Sequence, residues 1–278
     1  MTTLLFPGQG SQQVGMGADL FDRFPEKMRE ADKILGFPLE ELCTEEGERL
    51  NKTCFTQPAL FVVSCLMFEQ WREETGKVAS FAAGHSVGEY AALYAAGSIS
   101  FSMGLRMVQK RGELMHKQQG GAMAAVIGMN LESVEKVLAE AGLSGIDIAN
   151  LNTPEQIILS GAVDDFPEAE KIFLEAGAAR FIQLKVSGAF HSRYMKDAAG
   201  DFDSFLADFH FSEPAFPVIS NFEARPYNIE HAREILVAQI FSPVRWVESI
   251  QYILNRGETE FLELGPGKVL AGLLRRIR

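Results

Sequence analysis

The sequence is short of several things, and each shortage removes a class of function. Three cysteines occur in 278 residues, Cys43, Cys54 and Cys65. Their number is odd and no two form a CxxC pair, so neither a disulfide framework nor a zinc site is implied. They read as reduced thiols that fill the core. Positive charge is scarce as well: 26 Lys and Arg against 37 Asp and Glu leave a net charge of −11. So acidic a chain is not expected to bind nucleic acid, although a local cationic pocket for a small anion is compatible with it. The uncharged run Tyr90 to Leu105 is too short, and too broken by Gly and Ser, to span a bilayer. Residues 1–18 carry no basic start and are interrupted by Pro7 and several glycines, so no secretory signal is read there. The expectation is a cytoplasmic monomer with no membrane segment.

What is present is an alternation of short apolar runs and helical patterns. Thr3–Phe6 reads as a strand stopped by Pro7-Gly8. Pro58–Arg72 repeats its apolar residues at helical spacing, Val78–Ala83 is a short buried strand, and Glu89–Ala96 is an Ala- and Leu-rich helix with Gly97 as its C-cap. Such alternation predicts an α/β fold with a parallel sheet. The middle of the chain changes character. Ala124–Met129, Leu131–Ala141, Ile146–Asn150, Gln156–Ser160, Phe166–Ala176 and Arg180–Val186 follow the order βαββαβ, that of a ferredoxin-like unit. Helix–strand alternation then resumes: Met195–Phe209 and Val247–Asn255 as helices, Pro217–Ser220 and Glu260–Leu264 as strands. The βαββαβ stretch is therefore read as an inserted subdomain.

Chemistry concentrates at GHSVG, residues 84–88. The five residues alone are a weak signal, and their context strengthens it. A strand precedes them and a helix follows, the arrangement a nucleophile elbow requires. Ser86 would project from the turn, and the N–H of Val87 could face an oxyanion; the plainer alternative is a strand–helix turn capped by Ser86. Of five histidines, His85 neighbours Ser86 and should diverge from it, while His116, His210 and His231 sit in polar contexts. His191 lies in a loop beyond the strand Arg180–Val186, where α/β folds place working groups. No acidic residue announces itself as a third member, so a Ser–His dyad is expected. The turn PGQGSQ, with Gln9 at its tip, would supply a second oxyanion donor. A phosphate cradle is the rival there, but Gln13 stands where GxGxxG needs its last Gly.

On a helical wheel of Phe101–Gln118, residues Met103, Met107, Val108, Leu114 and Met115 form one apolar face. Arg111 falls in its middle, opposite the solvated Arg106, Lys110, Glu113 and Lys117. Arginine is almost never buried unpaired. An internal salt bridge would satisfy it; the preferred reading is a guanidinium fork for the carboxylate of a ligand.

Together LFPGQGSQ, GHSVGEYAAL, QKRGELM, GAFHS and ELGPGKVL resemble the motifs of malonyl-CoA:acyl carrier protein transacylases, from about Leu4 to Arg276. The resemblance implies an α/β-hydrolase-like large subdomain over 1–123 and 192–278, with a ferredoxin-like small subdomain over 124–191. It implies an acylated Ser86, His191 as its base, and Arg111 as the clamp for the malonyl carboxylate. The backbone amides of Gln9 and Val87 would form the oxyanion hole, and the region near Asn255-Arg256 would supply the carbonyl that orients the histidine. Malonyl-CoA and the phosphopantetheine of an acyl carrier protein are the implied substrates, with no bound cofactor or metal. Members serving fatty acid synthesis usually carry Ser before the histidine; Ala189-Phe190-His191 is similar to discrete, trans-acting polyketide acyltransferases, in which Phe190 would exclude an α-methyl group. Rival readings are a proofreading thioester hydrolase of the same fold, whose members lack the arginine, and a non-catalytic docking module.

Overall fold

The computed structural model describes residues 2–186 and 188–278; Ser187, just ahead of GAFHS, lies outside the described residues. The strands are β1 (Thr2–Phe6), β2 (Ala79–Gly84), β3 (Gly121–Ile127), β4 (Ile146–Thr153), β5 (Gln156–Ala162), β6 (Arg180–Gln183), β7 (Val218–Ile219) and β8 (Glu260–Glu263). They form two sheets, ordered β7-β2-β1-β8 and β4-β5-β3-β6.

The first sheet is parallel throughout, with Leu4 opposite both Ala82 and Leu262. Consecutive Leu4, Leu5 and Phe6 are all buried, a run rather than an alternation, because helices cover both faces of a parallel sheet. Leu4 and Phe6 pack with Phe61, Tyr90 and Leu105 on one side. Leu5 packs with Trp246, Ile250 and Leu270 on the other.

The second sheet is antiparallel throughout, and its strands and helices keep the expected βαββαβ order. The alternation of β3 divides two environments. Ala122, Ala124 and Val126 pack beneath the helices Leu131–Glu140 and Phe166–Glu175, whereas Met123 and Ala125 join the core of the larger unit. The units are also joined through the backbone: Val244 N–H donates to Ala149 O at 2.8 Å, and Leu151 N–H donates to Val244 O at 2.9 Å.

The helices Ala18–Phe21, Pro25–Leu35, Leu39–Thr44 and Ala232–Phe241 are not among those expected, and three expected elements have other bounds that bear on the site. The helix read from Pro58 begins at Thr53; Pro58 sits inside it, leaving the Cys54 carbonyl without its helical donor. β3 starts at Gly121, ahead of the expected division at 124. β6 stops at Gln183, because the chain turns off the sheet and Leu184, Lys185 and Val186 line a cavity instead. No described helix is long and apolar enough to cross a membrane. Cys43, Cys54 and Cys65 are free thiols, and burial pushes Cys43 up to about 12.

Candidate active site

β1 and β2 occupy the centre of the parallel sheet, and their C-terminal ends open into a cavity of about 610 Å³. At the end of β2 the chain turns sharply through Ser86, whose φ of 52° is left-handed. The two flanking glycines make this turn possible. A Cβ on Gly84 would lie 2.0 Å from the Gly88 carbonyl carbon, and one on Gly88 would lie 2.1 Å from Phe6 O. Helix Gly88–Ala95 starts immediately afterwards.

Ser86 Oγ lies 2.7 Å from His191 Nε2. The other ring nitrogen, Nδ1, lies 2.8 Å from the carbonyl oxygen of Gln239. A carbonyl only accepts, so Nδ1 carries the proton and Nε2 is free to accept from the Ser86 hydroxyl. The orienting carbonyl is thus not near Asn255 and Arg256, which are exposed at the end of another helix. The reason for that correction is local. Gln239 lies in the last turn of helix Ala232–Phe241, where carbonyls lose their intrahelical donors, and the residue four positions on is Pro243, which has no N–H. Burial first, and the Arg111 charge second, push the His191 imidazole down to about 3. It is therefore neutral across the physiological range. His191 shares the left-handed conformation of Ser86, with φ 57°.

Arg111 is 1% exposed, as its place on the apolar face requires. The internal salt bridge is not there: among the described residues no carboxylate lies within ion-pair distance of it. Its fork is held by neutral acceptors. Nη1 donates to Gln57 Oε1 at 2.7 Å, and Nη2 donates to Gln239 Oε1 at 2.9 Å and to Ser86 Oγ at 3.1 Å. Nε is buried without a partner. A buried guanidinium in hydrogen-bond contact with the serine oxygen, and with no carboxylate at ion-pair distance among the described residues, is suited to an anion.

The loop after β1 packs against the elbow so closely that a Cβ on Gly8 would lie 2.4 Å from His85 O. Gln9 and Val87 both line the cavity. Among the described residues neither backbone N–H donates to another protein group. Phe190 is buried and lines the same cavity. His85 does diverge from Ser86: its Nε2 meets Asn152 Oδ1 at 2.8 Å, across to the antiparallel unit. Sequence reasoning missed Gln57, Gln239, Asn221 and Glu89. Gln57 and Gln239 are bound to Arg111, and Asn221 Oδ1 accepts from Ser86 N–H at 2.7 Å. Two had a readable signal: Glu89 stands inside GHSVGEY, and Asn221 directly follows the strand read at Pro217–Ser220.

The chain is similar to known proteins over nearly its whole length. Residues 3–276 match the acyl transferase domain family. The chain is 49% identical over 281 residues to a polyketide biosynthesis malonyl CoA-acyl carrier protein transacylase, PksC of Bacillus subtilis, covering 100% of this chain and 97% of PksC. It spans only 24% and 36% of two longer polyketide biosynthesis proteins, to which it is 50% and 49% identical. The crystal structure of a malonyl CoA-acyl carrier protein transacylase from Burkholderia pseudomallei superposes with a TM-score of 0.96 at 46% identity, covering 100% of this chain and 98% of that one. A malonyl-transacylase solved in complex with its type II polyketide acyl-carrier protein superposes with a TM-score of 0.94 at 39% identity, over 99% of this chain and 92% of that one. By sequence over nearly its whole length, and by the two-unit fold that carries the serine elbow, the chain belongs to the acyl transferase domain family.

Proposed function

We propose that this chain moves a malonyl group from malonyl-CoA to the phosphopantetheine thiol of an acyl carrier protein, through a malonyl ester of Ser86. The observation that carries the reading is Arg111, a buried guanidinium 3.1 Å from the serine oxygen with no carboxylate of its own. An acyl group that brings its own carboxylate completes that site; a neutral one leaves it incomplete. The names of the relatives support the same substrates, and the relative solved with its carrier protein supports the partner.

In the first half-reaction His191 Nε2 takes the Ser86 proton as Oγ attacks the thioester carbonyl. The N–H groups of Gln9 and Val87 hold the oxyanion. The carbon–sulfur bond breaks, and the CoA sulfur leaves with the proton returned by His191. Arg111 releases the Ser86 oxygen and grips the malonyl carboxylate through two parallel hydrogen bonds. In the second half-reaction the pantetheine thiol gives its proton to His191 and attacks the ester. The carbon–oxygen bond breaks and Ser86 recovers the proton, a ping-pong cycle. Phe190 beside His191 fills the space an α-methyl would need. A discrete enzyme serving the carriers of a polyketide synthase fits this residue and the named relatives.

Truncating one partner of a buried charge pair costs about 2–5 kcal/mol, so Arg111→Ala is expected to slow malonyl loading roughly a hundredfold and acetyl loading far less. Parallel assays with malonyl-CoA and acetyl-CoA check this, and equal losses for both would refute the clamp.

A further inference from the structure

Glu89 follows the elbow by one turn of helix, is 0% exposed, and has no direct part in the chemistry above. A buried carboxylate is costly unless every acceptor site is used. Here each partner is a donor. Oε2 accepts from Asn221 N–H at 2.8 Å and from Gln239 Nε2 at 3.1 Å, and Oε1 accepts from the Tyr227 hydroxyl.

Two of these partners lead straight back to Ser86. Asn221 uses its side chain on both sides of the elbow, accepting from Ser86 N–H at 2.7 Å and donating to Gly84 O at 2.7 Å. Gln239 Nε2 also donates to Ser86 O at 3.0 Å. Both peptide groups of a residue in a strained left-handed conformation are thus pinned by groups that Glu89 holds. A non-glycine residue keeps such a conformation only where its surroundings over-determine it. The Gln239 amide has a second constraint. A guanidinium only donates and a carboxylate only accepts, so lying between Arg111 and Glu89 leaves the amide one orientation: oxygen to Arg111, nitrogen to Glu89.

We propose that Glu89 is a positioning residue for acyl transfer, holding the Ser86 elbow through Asn221 and aiming Arg111 through Gln239. Its ionised form is the effective one, because only a carboxylate accepts from all three donors at once. Burial raises the Glu89 carboxyl to about 7 against the pull of those donors and of Arg111. The titratable and charged groups facing it are Arg111, Tyr227 and, on its own helix, Tyr90; burial raises both tyrosines, and the catalytic His191 stays neutral, so among these groups Glu89 alone changes charge between pH 5.5 and 8.5.

The inference rests on the acyl-transfer reading, and the wild-type protein tests that reading first, by forming a malonyl ester at all. Single-turnover loading of the full chain is then followed by quenched intact-mass measurement from pH 5.5 to 8.5, for wild type and Glu89→Gln, with malonyl-CoA and acetyl-CoA. In wild type the rate is expected to rise with pH through about 7. At pH 8.5 the variant is expected to load malonyl about tenfold more slowly, and acetyl about threefold more slowly. The gap should close to about twofold at pH 5.5, where Glu89 carries a proton. A variant equal to wild type throughout, or slower by one constant factor at every pH, would overturn the proposal, the second outcome marking a merely structural side chain. Should Glu89→Gln not fold, a wild-type malonyl profile flat across this range overturns it equally.

Discussion

Two buried charges in this protein have opposite surroundings. Glu69 is 5% exposed, near the end of helix Thr53–Thr75. It is fully served: Lys27 Nζ lies 3.7 Å away, and Arg72 and the Tyr94 hydroxyl both bond to it. Arg111 lies beside the other end of the same helix and has only the neutral oxygens of Gln57, Gln239 and Ser86. A charge that supports the fold is paired inside the fold. On the proposed reading, a charge kept for a substrate is desolvated and aimed by neutral groups, with no carboxylate in contact with it until the substrate arrives. The difference separates structural from functional burial without reference to any motif.

The comparison can be broken from either side. The Arg111→Ala test above carries the largest expected effect, a change of acyl selectivity. Glu69→Leu should show the reverse. Removing one partner of a buried pair costs up to 3–5 kcal/mol, and because Lys27 and Arg72 are partly exposed about 2 kcal/mol is expected here. Thermal unfolding should fall by roughly 5 °C, with malonyl and acetyl loading rates unchanged. A Glu69 variant that lost malonyl selectivity would erase the distinction.

Smaller effects sharpen it. On the proposed reading Phe190 acts on the acyl group by size alone, and one methyl in an apolar pocket is worth about 1–3 kcal/mol. Phe190→Ala should raise the loading of methylmalonyl relative to malonyl by roughly tenfold in a competition assay. The last effect is on stability, and only in acid. His191 is lowered to about 3 in the folded protein, against about 6.5 in the unfolded chain. The unfolded state therefore binds the extra proton between those values, and folding stability is lost as pH falls from 6.5 towards 3. Denaturant midpoints across that window should fall less steeply for His191→Gln than for wild type.

Much of this was legible in the residues. The strand–turn–helix around Ser86 follows from a short run of small residues and Phe81 meeting an Ala-rich helix, and the inward place of Arg111 follows from period alone. The βαββαβ order of the second unit is equally local. The rest depends on contacts between distant segments. Nothing near His191 announces that a helix 48 residues later ends against its ring; Pro243 shows only that the Gln239 carbonyl is spare. Gln57 reads as a polar residue just ahead of an apolar helix, and its purpose appears only when Arg111 lies beside it. The apolar spacing that marks the helix becomes regular only at Pro58, whereas the helix starts at Thr53 and tolerates the proline inside it.

The account's central claim is a malonyl ester on Ser86 that passes to a carrier thiol. Intact-mass spectrometry after brief mixing with malonyl-CoA, and then with a holo acyl carrier protein, reads both events in one experiment. The predicted result is a single malonyl adduct, absent in Ser86→Ala, that disappears from the enzyme as it appears on the carrier. No adduct with malonyl-CoA, together with hydrolysis of an acylated carrier, would contradict the account and make the protein a thioester hydrolase.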